Sequence, residues 1–334
     1  MCTSVKVISK ENHCFCGRTS EFDVPLNYVL VTIPRDYIIK TTQTPCNVKY
    51  GVIGVGAEGL ELVQDGVNEV GLAGITQYFA NEFRYADVER ILDKNKKPVR
   101  GEEMLTWILT HYSSIEDVKI NLNNDIAASN TSGVLGFAVP QHIALYDKTG
   151  ASIVVEPTLD CEFKIYDNPI GTMTNQPSFD WHLKNLYNYT GMTQKINPAV
   201  DVRGQKLLTS GKGSGLFGMP GDYTPQSRFV RATVLASLAE VPDDDFAPQM
   251  VFHILNSFDI PRGVIEIVAN NTPQHTQYTT AYDCEHGILY YHDYYNRCIQ
   301  RLSITEEDMS KDVITVYRIQ KNEEIIDVRE NLVQ

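Results

Sequence analysis

The sequence predicts an α+β fold, on three observations. Candidate strands come in runs, at the N-terminal end, between 134 and 167, and at the C-terminal end. Candidate helices gather between those runs instead of alternating with single strands, which separates this pattern from a βαβ fold. The chain also has no internal repeat and no Pro- or Ser-rich linker. One layered domain over 2–334 therefore fits better than the two that length alone suggests.

The elements follow in order. "TSVKVIS" and "HCFCGRT" flank a turn at Lys10-Glu11-Asn12, and "NYVLVTIP" follows. Strands are expected at "YGVIGVG" (50–56) and "EVGLAGITQYF" (69–79), and helices at 102–113 and 114–124. Strands return at "VLGFAV" (134–139), "HIALYD" (142–147), "SIVVEP" (152–157) and "EFKIYD" (162–167). "SFDWHLKNLYNY" (178–189) reads as a helix with Ser178 as its N-cap. A second helix is expected from Thr224, with Pro225 at its first position, to about 239. A third opens at Asp243-Asp244-Asp245 and runs through "FAPQMVFHILNSF". "TQYTTAY", "GILYYHDY", "CIQRLSI" and "VITVYRI" complete the strands.

Charge excludes two classes of partner. With 42 acids against 29 bases the net charge is −13. That disfavours sequence-independent nucleic-acid binding, which needs a basic face, and docking on an anionic membrane. Lys6, Lys10 and Glu11 interrupt the N-terminus before a secretory apolar region could form. Seven scattered cysteines are too sparse for a disulfide framework. These features predict a reduced, cytoplasmic protein, in which the sequon-like Asn130-Thr131-Ser132 has no meaning.

Several motifs fail on context. Gly54, Gly56 and Gly59 match a dinucleotide-binding pattern, as do Gly213, Gly215 and Gly218. Gly66 and Gly71 leave no room for the crossover helix after the first, and Pro220 blocks a helix after the second. Both read as glycine-rich turns. Cys14 and Cys16 share one strand face and lack a second ligand pair, so they read as buried apolar cysteines and not as metal ligands.

Cys2 carries the candidate chemistry. Removal of Met1 leaves it with both a thiol and an α-amine. An α-amine of pKa about 7.7–8.0 can accept a proton near neutral pH, and it is held next to the thiol it would deprotonate. If the first two strands pair as a hairpin, Arg18 returns toward Cys2, where a guanidinium favours the thiolate. Arg228 falls in the first turn of the helix capped by Thr224. A cation there opposes the helix dipole, which suggests a partner elsewhere.

Met1-Cys2-Thr3, Gly17-Arg18-Thr19, "DGVNEVGLAG" (65–74), "MTNQPSFDWHLKNLYNY" (173–189) and "GMPGDYTPQSRFVRA" (218–232) together resemble the choloylglycine hydrolase family, over nearly the whole chain. The resemblance implies a four-layer αββα sandwich of the N-terminal nucleophile hydrolase type, a homotetramer, and no metal or cofactor. It implies Cys2 as nucleophile, its α-amine as base, and Arg18 and Arg228 as the two active-site arginines. Asn175 would supply a side-chain donor to the oxyanion, and Tyr78 a backbone N–H. Glu21 stands where the family usually has Asp, so either Glu21 or Asp23, which shares its strand face, would contact the amine.

The reaction implied is hydrolysis of a linear amide through an acyl-thioester. Tyr78, with "GLAGITQYFANEFRYAD" around it, resembles the penicillin V acylase branch and suits a phenoxyacetyl group. Phe22 and Phe137 are expected as further pocket walls. Conjugated bile acids and N-acyl-homoserine lactones are the alternative substrates. A non-catalytic binding protein of the same fold is the reading from another class, with Glu21 its only support.

Overall fold

The computed structural model describes residues 1–22, 26–267 and 272–327. Two sheets form its centre. The first has five strands in the order Cys2–Ile8, Cys14–Ser20, Tyr278–Asp283, Ile288–Asp293, Gln300–Ser303. The second has eight, in the order Phe163–Asp167, Ser152–Pro157, Gln141–Asp147, Leu72–Tyr78, Val63–Asn68, Val52–Ala57, Tyr28–Ile33, Thr315–Tyr317. Neighbouring strands in both sheets are antiparallel.

The period-two alternation of the strands divides the core in three. Between the sheets, Cys14, Cys16, Tyr278 and Tyr282 meet Val55, Val67, Ala73, Ile75 and Ala144. On the outer face of the five-stranded sheet, Val5, Phe15 and Ala281 pack on Val251, Phe252 and Leu255 of the helix Ala247–Leu255, and on Ala232 of Pro225–Leu238. On the outer face of the eight-stranded sheet, Val31, Leu72, Ile143 and Ile153 pack on the helices Met104–His111 and Ile115–Asp125 through Leu105, Ile108, Val118 and Leu122. The layers are therefore helix, sheet, sheet, helix, as the resemblance implies. Each fully buried aliphatic side chain contributes about 1.5–3 kcal/mol.

Local chemistry explains the helix starts. Thr224 Oγ1 accepts the Ser227 N–H at 3.4 Å, and Pro225 occupies the first helical position. Ser178 stands at the N-cap of Phe179–Leu186 as expected, but its hydroxyl donates to Asp180 Oδ1 at 2.7 Å and caps no N–H.

Some expectations are corrected. Residues 134–139 form no strand. Gly136 takes φ +80° and donates to Gly133 O, and Gly133 donates to Phe137 O, so the segment closes on itself as a turn. The helix expected at 102–113 opens as a 3-10 turn, Gly101–Glu103, before Met104–His111. Gly54 and Gly56 lie inside the strand Val52–Ala57, and of that motif only Gly59 sits in a turn, at φ +83°. A side chain at Gly54 would meet Asp65 O at 2.3 Å, so strand crowding selects glycine there. The helix Val88–Asp93 and the hairpin Val200–Val202/Gln205–Leu207 were not anticipated. Cys14 and Cys16 are buried, as expected, and burial raises the Cys16 thiol pKa. Among the described residues, no helix is long and apolar enough to cross a membrane.

Gly17 tests the packing beneath the site. A Cβ there would lie 2.2 Å from Thr280 O and 2.6 Å from Val251 Cγ1. Backbone cannot yield as a flexible side chain can. Gly17→Ala is expected to destabilise the fold by about 1–3 kcal/mol, read as a lower urea midpoint at unchanged slope.

Candidate active site

The hairpin places Cys2. Cys2 pairs with Ser20 and Ser4 with Arg18, so Cys2 and Arg18 share a face as diagonal neighbours. Arg18 Nη2 donates to Cys2 Sγ at 2.8 Å. Its other nitrogens are also held: Nη1 donates to Thr76 O at 2.9 Å and Nε to Thr19 O at 3.2 Å. Burial alone would lower the pKa of this guanidinium. Cys2, Tyr278, Asp65 and Glu21 outweigh burial, and the pKa lies above its ordinary value.

A second strand is cut to serve the site. Pairing of Leu72–Tyr78 with Val63–Asn68 stops at Asp65–Ile75. Beyond that point the Thr76 carbonyl is available to Arg18, and the Tyr78 carbonyl accepts Asn175 Nδ2 at 2.8 Å. Phe79 N donates to Pro140 O at 3.0 Å, so Tyr78 and Gln141 form a non-hydrogen-bonded pair. The Tyr78 backbone is thereby turned away from that neighbour, toward Asn175.

Asn175 arrives through a short bridge. Ser4 N donates to Met173 O at 2.8 Å and Met173 N to Ser4 O at 3.1 Å, which lays 173–175 along the edge strand. Asn175 Oδ1 accepts Cys2 N at 2.8 Å and Arg228 Nη2 at 2.7 Å. Two donors on one atom identify it as the oxygen and fix the amide orientation. Nδ2 then has a second hydrogen beyond its bond to Tyr78 O.

Arg228 resolves the electrostatic oddity of its helix. Besides Asn175, its Nη1 donates to Cys2 O and, at 2.8 Å, to Thr3 Oγ1; Nε donates to Tyr223 O at 2.9 Å. Burial lowers its pKa against the pull of Glu21 and Cys2.

Glu21 lies beside the chain terminus. Its N–H donates to Met1 O at 2.9 Å, and the Met1 amine donates to Glu21 O. Its carboxylate accepts Thr276 Oγ1 at 2.9 Å. Burial raises the pKa of this carboxyl, against the terminal amine and Arg228. Asp23, the other candidate carboxylate, lies outside the described residues.

Sequence reasoning missed Asp65. It is buried, with Oδ1 accepting Tyr278 OH at 2.6 Å, and Oδ2 accepting Thr280 Oγ1 at 2.7 Å and Tyr282 OH at 3.0 Å. It bridges the sheets and supplies negative charge behind Arg18. The one available signal was an acid inside a run that alternation would bury.

An apolar pocket of about 90 Å³, open to solvent, adjoins Cys2 and Arg18. Leu26, Leu60, Leu62, Val63, Leu135 and Val139 supply aliphatic side chains to its wall. Phe22 and Tyr78 line it too, with ring centroids 6.4 Å apart. Phe137 does not. It is exposed, and its neighbours Leu135 and Val139 take the wall positions instead.

The raised Glu21 pKa gives a pH test. As pH falls, this carboxyl gains its proton above the range of an ordinary glutamate, about 4.3. If the ionised form holds the amine, kcat/KM is expected to decline on the acid side at correspondingly higher pH. Glu21→Gln is expected to lower the plateau and to abolish that limb in a pH–rate profile.

Comparison with known proteins agrees with this geometry. The sequence model described as linear amide C–N hydrolases, choloylglycine hydrolase family, matches residues 2–327. A bile salt hydrolase/transferase of Clostridium perfringens is 34% identical over 96% of this chain and 98% of its own length. The crystal structure of the C2A mutant conjugated bile acid hydrolase from the same organism superposes with a TM-score of 0.85 at 32% identity, covering 98% of this chain and 100% of that one. The penicillin V acylase of Agrobacterium tumefaciens shares the fold, with a TM-score of 0.72 at 20% identity over 96% of this chain and 92% of that one. The chain belongs to the choloylglycine hydrolase family of linear amide C–N hydrolases, built on the N-terminal nucleophile fold.

Proposed function

We propose that this enzyme, once Met1 is removed, cleaves the amide bond of conjugated bile acids, releasing the amino compound. The observation that carries the reading is Cys2, held by Arg18 and Asn175, at the edge of an apolar pocket. A bulky apolar acyl group suits walls of leucine and valine. The bile salt hydrolase named above, at 34% identity, supports the same substrate. This differs from the penicillin V acylase expected from Tyr78, which the fold likeness at 20% identity does not favour.

The chemistry follows from the contacts. The Cys2 α-amine takes the thiol proton, and the thiolate attacks the amide carbonyl carbon. Arg18 stabilises the sulfur charge. The oxyanion is received by the second Asn175 Nδ2 hydrogen and the Tyr78 N–H; loss of one such donor costs about 10²–10³ in rate. Collapse breaks the C–N bond, and the ammonium returns the proton to the leaving amine. Water then attacks the thioester, releasing the acid and restoring the thiol. Glu21 holds the amine through its charge.

The Phe22–Tyr78 pair favours a second reading, a phenoxyacetyl amide such as penicillin V. The reading also includes a homotetramer. The hairpin Val200–Val202/Gln205–Leu207, with Tyr187, Leu208 and Phe217, carries large exposed apolar side chains that burial between copies of the chain would shield. A cytoplasmic location is supported by seven cysteines, none of them paired.

Amine release from glycine and taurine conjugates of bile acids is expected to exceed release from penicillin V by at least about tenfold, and to vanish in Cys2→Ala. Faster release from penicillin V would overturn the substrate reading and leave the mechanism standing. Sedimentation velocity is expected to give four chains, and Leu208→Asp with Phe217→Asp to dissociate them. A wild type that sediments as one chain would remove the tetramer.

A further inference from the structure

The backbone of Asn175 is gripped as firmly as its side chain, by two residues the mechanism has not used. His142 Nε2 donates to Thr174 O at 2.9 Å, and His182 Nε2 donates to Asn175 O at 2.9 Å. These carbonyls belong to the two peptide planes that flank Asn175. A carbonyl only accepts, so each ring must carry its proton on Nε2. Both imidazoles are fully buried.

The two histidines come from different layers. His142 lies on the strand Gln141–Asp147, and its Nδ1 is 3.5 Å from Glu156 Oε1. That same oxygen accepts Phe179 N at 2.8 Å, at the start of the helix carrying His182. His182 Nδ1 has no hydrogen-bond partner among the described residues, and burial lowers the pKa of this ring to about 4. It is therefore neutral at working pH.

Each ring also leans on a neighbour of a group that holds the Asn175 side chain. His142 stacks on Phe79 at 4.3 Å and 16°, and Phe79 follows Tyr78, whose carbonyl takes Nδ2. His182 stacks on Phe229 at 4.5 Å and 14°, and Phe229 follows Arg228, which donates to Oδ1. Two buried histidines in unrelated places would satisfy their polar atoms anywhere. These two converge on the consecutive carbonyls of Thr174 and Asn175 and brace the supports of the Asn175 side chain.

We propose that His142 and His182 are positioning residues: together they fix both peptide planes around Asn175 and so aim its Nδ2–H at the developing oxyanion. The proposal rests on the reading of Asn175 as an oxyanion donor. It assigns these rings no proton transfer and no contact with substrate.

The test uses the full-length enzyme and four variants. His142→Phe and His182→Phe keep an aromatic ring and remove the donor; His142→Gln and His182→Gln keep an N–H near the Nε2 position. Each Phe variant is expected to lose about 10–100-fold in kcat, less than removal of an oxyanion donor outright, with KM changed less than about threefold. Each Gln variant is expected to recover part of the loss. Alkylation of Cys2 by iodoacetamide, which needs no oxyanion hole, is expected to keep its wild-type rate. Phe variants with kcat within about twofold of wild type would overturn the proposal, as would a parallel loss of kcat and alkylation. A wild type inactive on every amide tried would count against the proposed function instead. ¹⁵N spectra of histidine-labelled wild type then decide the clamp: protons on Nε2 of both rings support it, and a bare Nε2 on either overturns it.

Discussion

Two buried guanidinium groups beside one cysteine set the terms for the rest of this structure. A cation removed from water is tolerated only if its donors are occupied and its charge is answered nearby. Arg18 meets this with carbonyls from its own strand and from the opposite sheet, the thiol, and the Asp65 carboxylate behind it. Arg228 meets it with Tyr223, Cys2, Thr3 and Asn175, and with Glu21 nearby. The partners come from both sheets, from the segment bridged to Ser4, and from the loop before a helix. Satisfying two charges thus requires the layers to meet in one register, and the site is the place where they do.

The fold was legible wherever burial imposes a period. The strands around Val5, Val31, Ile143, Val154 and Tyr282 alternate against cores on known sides, and the sequence displays that alternation. Legibility failed where no core enforces a pattern. The segment 134–139 has the composition of a strand, but glycine at φ +80° and a local hydrogen bond close it into a turn. The hairpin at 200–207 is exposed on both sides and offers no buried face to read.

The site was legible by a different route. Cys2 stands out by position, Arg18 by hairpin geometry, and Arg228 by its conflict with a helix dipole, so local physics marks all three. Asn175 and Tyr78 came only from the family resemblance. An asparagine among turn residues carries no local signal, and Tyr78 bonds Asn175 through its main chain, which any residue could supply. That is also why its ring was a weak guide to the acyl group. Asp65, His142 and His182 escaped because a polar residue on a strand or helix looks solvent-facing until the opposite layer is known. Phe137 failed for the converse reason: a loop that borders a site turns only some of its side chains inward.

The groups around Cys2 and part of the pocket wall are built from different materials. Cys2, Arg18 and the carbonyls of Thr76 and Tyr78 belong to strands locked between layers, and Arg228 to a helix packed against them. Leu26, Leu60, Leu62, Leu135 and Val139 sit on connecting segments at the rim. Evolution can therefore reshape the rim of this pocket by exchanging a few short loops, without disturbing the hydrogen bonds around Cys2. An engineer has the same freedom: graft the rim, keep the frame, and the acid that is released changes while the bond that is broken does not.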